Sequence, residues 1–267
     1  MDTISLPFGL PWLQPFDFPY KLGICDRIFG KAIAKQRICW AQTAAGIPWK
    51  LDLANPVHRW IVYGKYEGPE FINWAREFLP SDGIIVDSGA NIGQILLYLA
   101  QYVPQGKVLA FEPGKEQGDW LAECLAVNPT LPVELIRCGL GAATTQLKLR
   151  THGPEYIHGY WCQVSETEGE PIQIVRLADE LEKRAIEKVD LWKLDVEGYE
   201  IPALEGAKEL IKEKRIRVIY AELMKENGQR IREYLANFGY KCYLFKPNGK
   251  LYSPDELPIY TNGLFVP

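Results

Sequence analysis

The sequence predicts an α/β fold on a mostly parallel sheet, and three observations lead there. After about residue 81, short apolar runs alternate with segments of helical spacing, the pattern of strands joined by crossover helices. One such run ends in Val86-Asp87-Ser88-Gly89-Ala90-Asn91-Ile92-Gly93, a small-residue turn of the kind that borders ligands at the carboxyl edge of open sheets. The last strand-like runs lack the long connections that parallel pairing needs, which predicts an antiparallel C-terminal edge. The expected architecture is therefore Rossmann-like.

Taken in order, residues 1–80 are expected to form an N-terminal cap and residues 81–267 the main domain, with the boundary at the Pro80-Ser81-Asp82-Gly83 turn signal. Within the cap, 26–36 and 68–79 have helix-compatible spacing and 48–53 is a short strand. The main domain opens with a strand over 83–88 and a helix whose Ile92, Ile95, Leu96 and Leu99 share a face. Strands over 107–111, 133–138 and 189–195 follow, with a helix over 117–127 and a long insertion over 141–187 carrying β-like pieces at 146–150 and 171–176. A helix over 202–212, a strand over 215–223, a helix over 229–238 and strands near 241–245 and 263–266 complete the series.

Composition bounds the function. Of 267 residues, 47% are hydrophobic and 24% charged, as in ordinary globular proteins. The net charge of −4 gives no general attraction for a polyanion, so no nucleic-acid partner is expected. The six cysteines contain no Cys-x-x-Cys pair and read as reduced structural thiols. No segment has the length and apolarity of a transmembrane span, and the proline-rich opening lacks the layout of a signal peptide. A cytoplasmic location is expected, and homo-oligomerisation stays open. The aromatic-rich stretch from Phe8 to Tyr20 reads first as packing on its own domain and second as docking on a membrane or partner.

Three motifs carry chemistry. Around Asp87, Gly89, Ala90, Asn91, Gly93 and Gln94 the backbone can approach a ligand without Cβ clashes and can offer amides to an anion. The dinucleotide fingerprint is not met, because Asn91 and Gln94 stand where it requires glycines. Glu112 closes the second strand at the place where an acid accepts both ribose hydroxyls; capping the next helix is the competing structural role. In Lys193-Leu194-Asp195-Val196-Glu197-Gly198-Tyr199-Glu200, strand alternation puts Lys193 and Asp195 on one side. A lysine in a buried strand needs a partner, and Asp195 or Glu222 can supply one. Glu197 and Glu200 read as favourable charges near a helix start.

These motifs and their order, Val-Asp-Ser-Gly-Ala-Asn-Ile-Gly at 86–93, Phe-Glu-Pro at 111–113, Lys-Leu-Asp-Val-Glu-Gly-Tyr-Glu at 193–200 and Ala-Glu-Leu at 221–223, resemble those of the FkbM family of methyltransferases. Gly64-Lys65-Tyr66-Glu67, Leu204-Glu205-Gly206-Ala207 and Asn262-Gly263-Leu264-Phe265 extend the resemblance from about residue 64 to the C-terminus. It implies a class I methyltransferase sheet with S-adenosyl-L-methionine as methyl donor. It also implies that Asp87 to Gly93 surround the methionine part and Glu112 holds the ribose, with Gln94, Cys138 and Asp195 completing the donor set. The sequence departs from the family at Val175-Arg176-Leu177-Ala178-Asp179, where a Thr-Leu-Asp-like element is usual.

The expected reaction is methylation of a hydroxyl on a small metabolite or glycan, with nitrogen acceptors as the alternative. A nicotinamide oxidoreductase and a non-catalytic binding protein are the competing classes. A hydroxyl acceptor calls for a base. Asp195, Glu222, His158 and His152 are the candidates, with Lys193 beside Asp195, and no metal site is expected.

Overall fold

The computed structural model describes residues 6–14, 16, 18–43, 46–64, 69–152 and 161–267. A hairpin of β1 (Ile38–Gln42) and β2 (Pro48–Asp52) precedes the main sheet. That sheet takes β3 (Ile84–Ser88), β4 (Lys107–Phe111) and β5 (Val133–Ile136) from the first half of the domain. A smaller sheet is built from β6 (Gly139–Leu140), β7 (Thr145–His152), β8 (Trp161–Ser165) and β9 (Glu170–Val175). The chain then returns to the main sheet with β10 (Leu191–Leu194), β11 (Ile219–Met224), β12 (Lys241–Phe245), β13 (Leu251–Tyr252) and β14 (Tyr260–Val266). The eight strands lie in the order β13-β12-β14-β11-β10-β3-β4-β5. Pairing is parallel from β11 through β5 and antiparallel where β14 meets β11 and β12, as the connection lengths require.

Strand alternation sorts the core into two layers. Ile85, Val108, Ala110, Leu191, Val218 and Leu264 face one side, where they pack with Leu96, Leu97, Leu121 and the N-terminal residues Trp49, Leu51, Ile61 and Phe71. Val86, Leu109, Phe111, Trp192, Leu194, Ile219 and Phe265 face the other, against Leu181, Leu204, Ile211, Ile231 and Leu235. Residues before 80 therefore share a core with the sheet. The rings of Phe71 and Tyr220 stack with centroids 3.6 Å apart, and Trp120 Nε1 donates to the carbonyl of Lys50 at 2.6 Å.

Several elements differ from the sequence expectation. The helix after β3 spans only Leu96–Leu99, continued by one 3-10 turn, because residues 89–95 form turns instead. The segment expected to be one helix over 202–212 is two, Glu200–Glu205 and Lys208–Lys212, parted at Gly206, a weak helix former. The third strand stops at Ile136, and the following residues enter the small sheet. β1, β8, β13 and the helix Pro56–Val62, capped by the Asn55 side chain, have no counterpart in the sequence expectation.

Candidate functional site

The site forms where β3, β4 and β10 end. At Gly89 the chain turns with φ +76°, and a Cβ there would lie 1.9 Å from the carbonyl oxygen of Asp195. Only glycine lets the loop after β3 pass the end of β10. Asn91 follows with φ +50°, a conformation that asparagine adopts more readily than most residues. This aims its N–H at Glu112, whose Oε2 accepts at 2.7 Å while Oε1 accepts from the N–H of Gly114 at 2.8 Å. Each carboxylate oxygen keeps a further lone pair for a ligand hydroxyl. Burial pushes the Glu112 carboxyl up to about 7, although Gly114, Asn91 and Lys193 all favour its anion.

Lys193 is opposite Asp87 in the parallel register of β10 and β3. Its Nζ lies 3.3 Å from Asp87 Oδ1 and 3.2 Å from Asp195 Oδ2, and it donates to the carbonyl of Gly89 at 3.3 Å. Lys193 is the cation that balances the buried Asp87 carboxyl. Burial raises the Asp87 carboxyl and Lys193 opposes the rise. Lys193 thus ties the loop after β3 to the end of β10.

A carboxylate cluster follows. Glu197 and Gly198 both have positive φ, +53° and +95°. Glu200, buried beneath them, accepts from the N–H groups of Val196 and Gly198 at 3.1 Å each, and from the Asn227 side chain. Glu200 therefore acts as the internal brace of this loop. Glu222, on the neighbouring strand, is pushed up to about 8 by burial and then by Asp195, Glu197 and Glu200, while a hydrogen bond from Tyr260 opposes the rise.

A cavity brings together Asp87, Gly89, Ala90, Asn91, Gln94, Glu112, Lys193 and Asp195 from the expected set. Two residues expected around the cofactor do not line it. Cys138 turns into the apolar layer with Leu177 and Leu181, and its neighbours Gly139 and Leu140 face the cavity instead. Gly93 lies beneath the loop, where a Cβ would press on Leu97 and Leu121 at 2.9 and 3.0 Å. Glu222 stands outside the lining, behind Asp195. His158 lies outside the described residues, and His152 closes β7.

The opposite wall has no counterpart in the sequence expectation. Leu149, Cys162, Val164 and Ile174 of the small sheet, with Val196, Glu197 and Tyr199, complete the cavity. Cys162 Sγ accepts from Gln117 at 3.5 Å, and burial pushes its thiol up to about 11. Alternation within 145–152 and 161–165 is the signal the sequence holds for these strands, and it does not say which face they cover. Among the described residues no group of three or more His, Cys, Asp or Glu side chains is arranged to hold a metal ion.

Residues 87–242, more than half of the chain, match the methyltransferase FkbM domain. The chain belongs to the FkbM methyltransferase family. It is 33% identical over 162 residues to Methyltransferase sdnD of Sordaria araneosa, a match covering 49% of this chain and 62% of that protein. It is 30% identical over 147 residues to Methyltransferase 1 of Beauveria bassiana, covering 48% and 59%. These matches span less than two thirds of either relative. Among solved structures, M. jannaschii TYW2 in complex with AdoMet is similar over 86% of this chain and 84% of that one, at 16% identity and a TM-score of 0.42. The β3 turn, Glu112 and the 193–200 segment all fall within the span matched to the FkbM domain.

Proposed function

We propose that this chain transfers a methyl group from S-adenosyl-L-methionine to a hydroxyl oxygen of a small molecule or glycan. The observation that carries the reading is the buried Glu112 carboxylate, held by two backbone amides at the edge of a cavity whose facing loop only glycine can form. Its remaining lone pairs suit the two hydroxyls of a ribose. Ala90, Asn91 and Gln94 line the side toward the methionine part, and the apolar residues of the small sheet suit the adenine face.

The donor, when bound, supplies a methyl already made electrophilic by its sulfonium. The chain's own residues orient the partners and exclude water. Lys193 holds Asp87 and Asp195 in place at the ends of β3 and β10. Asp195 on the cavity wall, with Glu222 beyond the lining, would form the proton-accepting end for an acceptor hydroxyl. Glu222, raised to about 8, matches a base working near neutrality. That pair favours oxygen over nitrogen acceptors, because a neutral amine attacks without prior loss of a proton.

The test is calorimetric titration with S-adenosylhomocysteine and with NAD, followed by an acceptor screen with isotopically labelled methyl donor and mass analysis of the products. Binding of the homocysteine product but not NAD, with label recovered on oxygen, supports the reading. Binding of NAD alone, or label on nitrogen, overturns it.

A further inference from the structure

We infer that the outer face of the N-terminal segment docks on an anionic phospholipid surface. Phe8, Trp12, Phe16, Tyr20, Ile24 and Ile28 recur at intervals of four, and all are exposed, Phe8 and Tyr20 by 87% and Trp12 by 68%. Phe8 and Trp12 form an edge-on ring pair with centroids 5.2 Å apart. Ile24 and Ile28 stand one turn apart on the helical stretch from Lys21 to Ala34.

This exposure does not come from poor packing of the segment. Its inner face is anchored: Leu10, Cys25 and Ile33 are buried in the core shared with the sheet. Gln14 donates to the Val62 carbonyl at 2.7 Å, and Asp26 receives Arg59 at 2.6 Å. A segment fixed on one side and apolar on the other is built to present that side.

The charge of the segment selects the occupant. The chain carries a net charge of −4, yet from Phe8 to Arg37 the acids are Asp17 and Asp26 against Arg27, Lys31, Lys35 and Arg37, with Lys21 buried. Asp26 is engaged by Arg59 and Tyr63, and Lys50 pairs with Glu123. Arg27, Lys31 and Lys35 are exposed and spaced one turn apart, next to the Ile24 and Ile28 row. Aromatic and aliphatic side chains flanked by basic ones match the interface of a bilayer with anionic head groups. A symmetric contact between two copies would set this basic row against itself. Ile24 and Ile28 have no π face on which nucleic-acid bases stack.

The experiment is co-sedimentation of the full chain with vesicles of phosphatidylcholine alone or with about 30% phosphatidylglycerol. The expected result is partitioning onto the anionic vesicles only, weakened about tenfold or more when salt rises from about 0.05 to about 0.5 M. R27E/K31E/K35E and W12S/F16S/I24S/I28S should each weaken it by about tenfold or more. Both variants should keep the affinity of the parent chain for S-adenosylhomocysteine, which shows that they are folded. Absence of binding to the anionic vesicles overturns the inference, as does equal binding by folded variants. A concentration-dependent dimer abolished by W12S/F16S/I24S/I28S, without vesicle binding, overturns it too and assigns the face to a second copy.

Discussion

The two halves of the cavity are held by different physics. On the Glu112 side, backbone geometry dominates: a glycine that admits no Cβ, an asparagine with positive φ and two amides aimed at one carboxylate. On the Asp195 side, charge dominates: Lys193 bridges Asp87 and Asp195, and Glu197, Glu200 and Glu222 crowd behind them. The first arrangement suits recognition of an invariant ligand, because two backbone amides fix the rotamer of the carboxylate. The second suits proton movement, since like charges at short range push carboxyl groups toward neutrality. Substitutions on the two sides should therefore fail in different ways.

The largest effect is expected at the junction of the halves. Gly89→Ala forces a methyl against the Asp195 carbonyl at a positive φ, and should destabilise the chain by about 3 kcal/mol or more. Urea unfolding measures this, and a loss below about 1 kcal/mol would show that the loop can yield. Asp195→Asn should instead leave the fold and donor affinity nearly intact while lowering turnover by about 10²- to 10⁴-fold. Equal losses in turnover and donor binding would make Asp195 a structural partner of Lys193 only.

Glu112→Gln tests the other half. The amide puts a donor against one of the two N–H groups and removes the charge, so affinity for S-adenosylhomocysteine should fall by about tenfold to a hundredfold. Folding should stay close to intact, and an unchanged dissociation constant in calorimetry would remove Glu112 from the site.

The smallest effect is one of pH. With its carboxyl raised to about 7, Glu112 favours the folded state most when protonated. That contribution is complete below about pH 4.5 and is lost as pH rises through about 7. Ligand hydroxyls need the anion, so donor affinity should move the opposite way, rising about tenfold from pH 6 to 8. Calorimetry across that range should show the rise in the parent chain and a flat profile in Glu112→Gln.

Much of the Glu112 side was legible because it is local. Asp87 to Gln94 and Glu112 are two short motifs at strand ends, and strand order alone brings them together. The two residues expected around the cofactor that miss the cavity sit where local pattern is blind to orientation. Cys138 is one residue from the lining, in the bend between β5 and β6, and its side chain packs into the apolar layer. Gly93 has the glycine the motif suggested, but its space is taken by Leu97 and Leu121.

The sequence by itself determined the alternation of strands and helices, the antiparallel edge, the loop that needs glycine and the acid at the end of β4, since each depends on neighbours within a few residues. Tertiary structure alone decided that Lys193 meets Asp87 across the sheet, that Glu200 braces the loop from below, and that the small sheet walls the cavity. Those contacts join residues far apart in the chain. Their partners are chosen by register, burial and charge balance, which no local pattern of residues encodes.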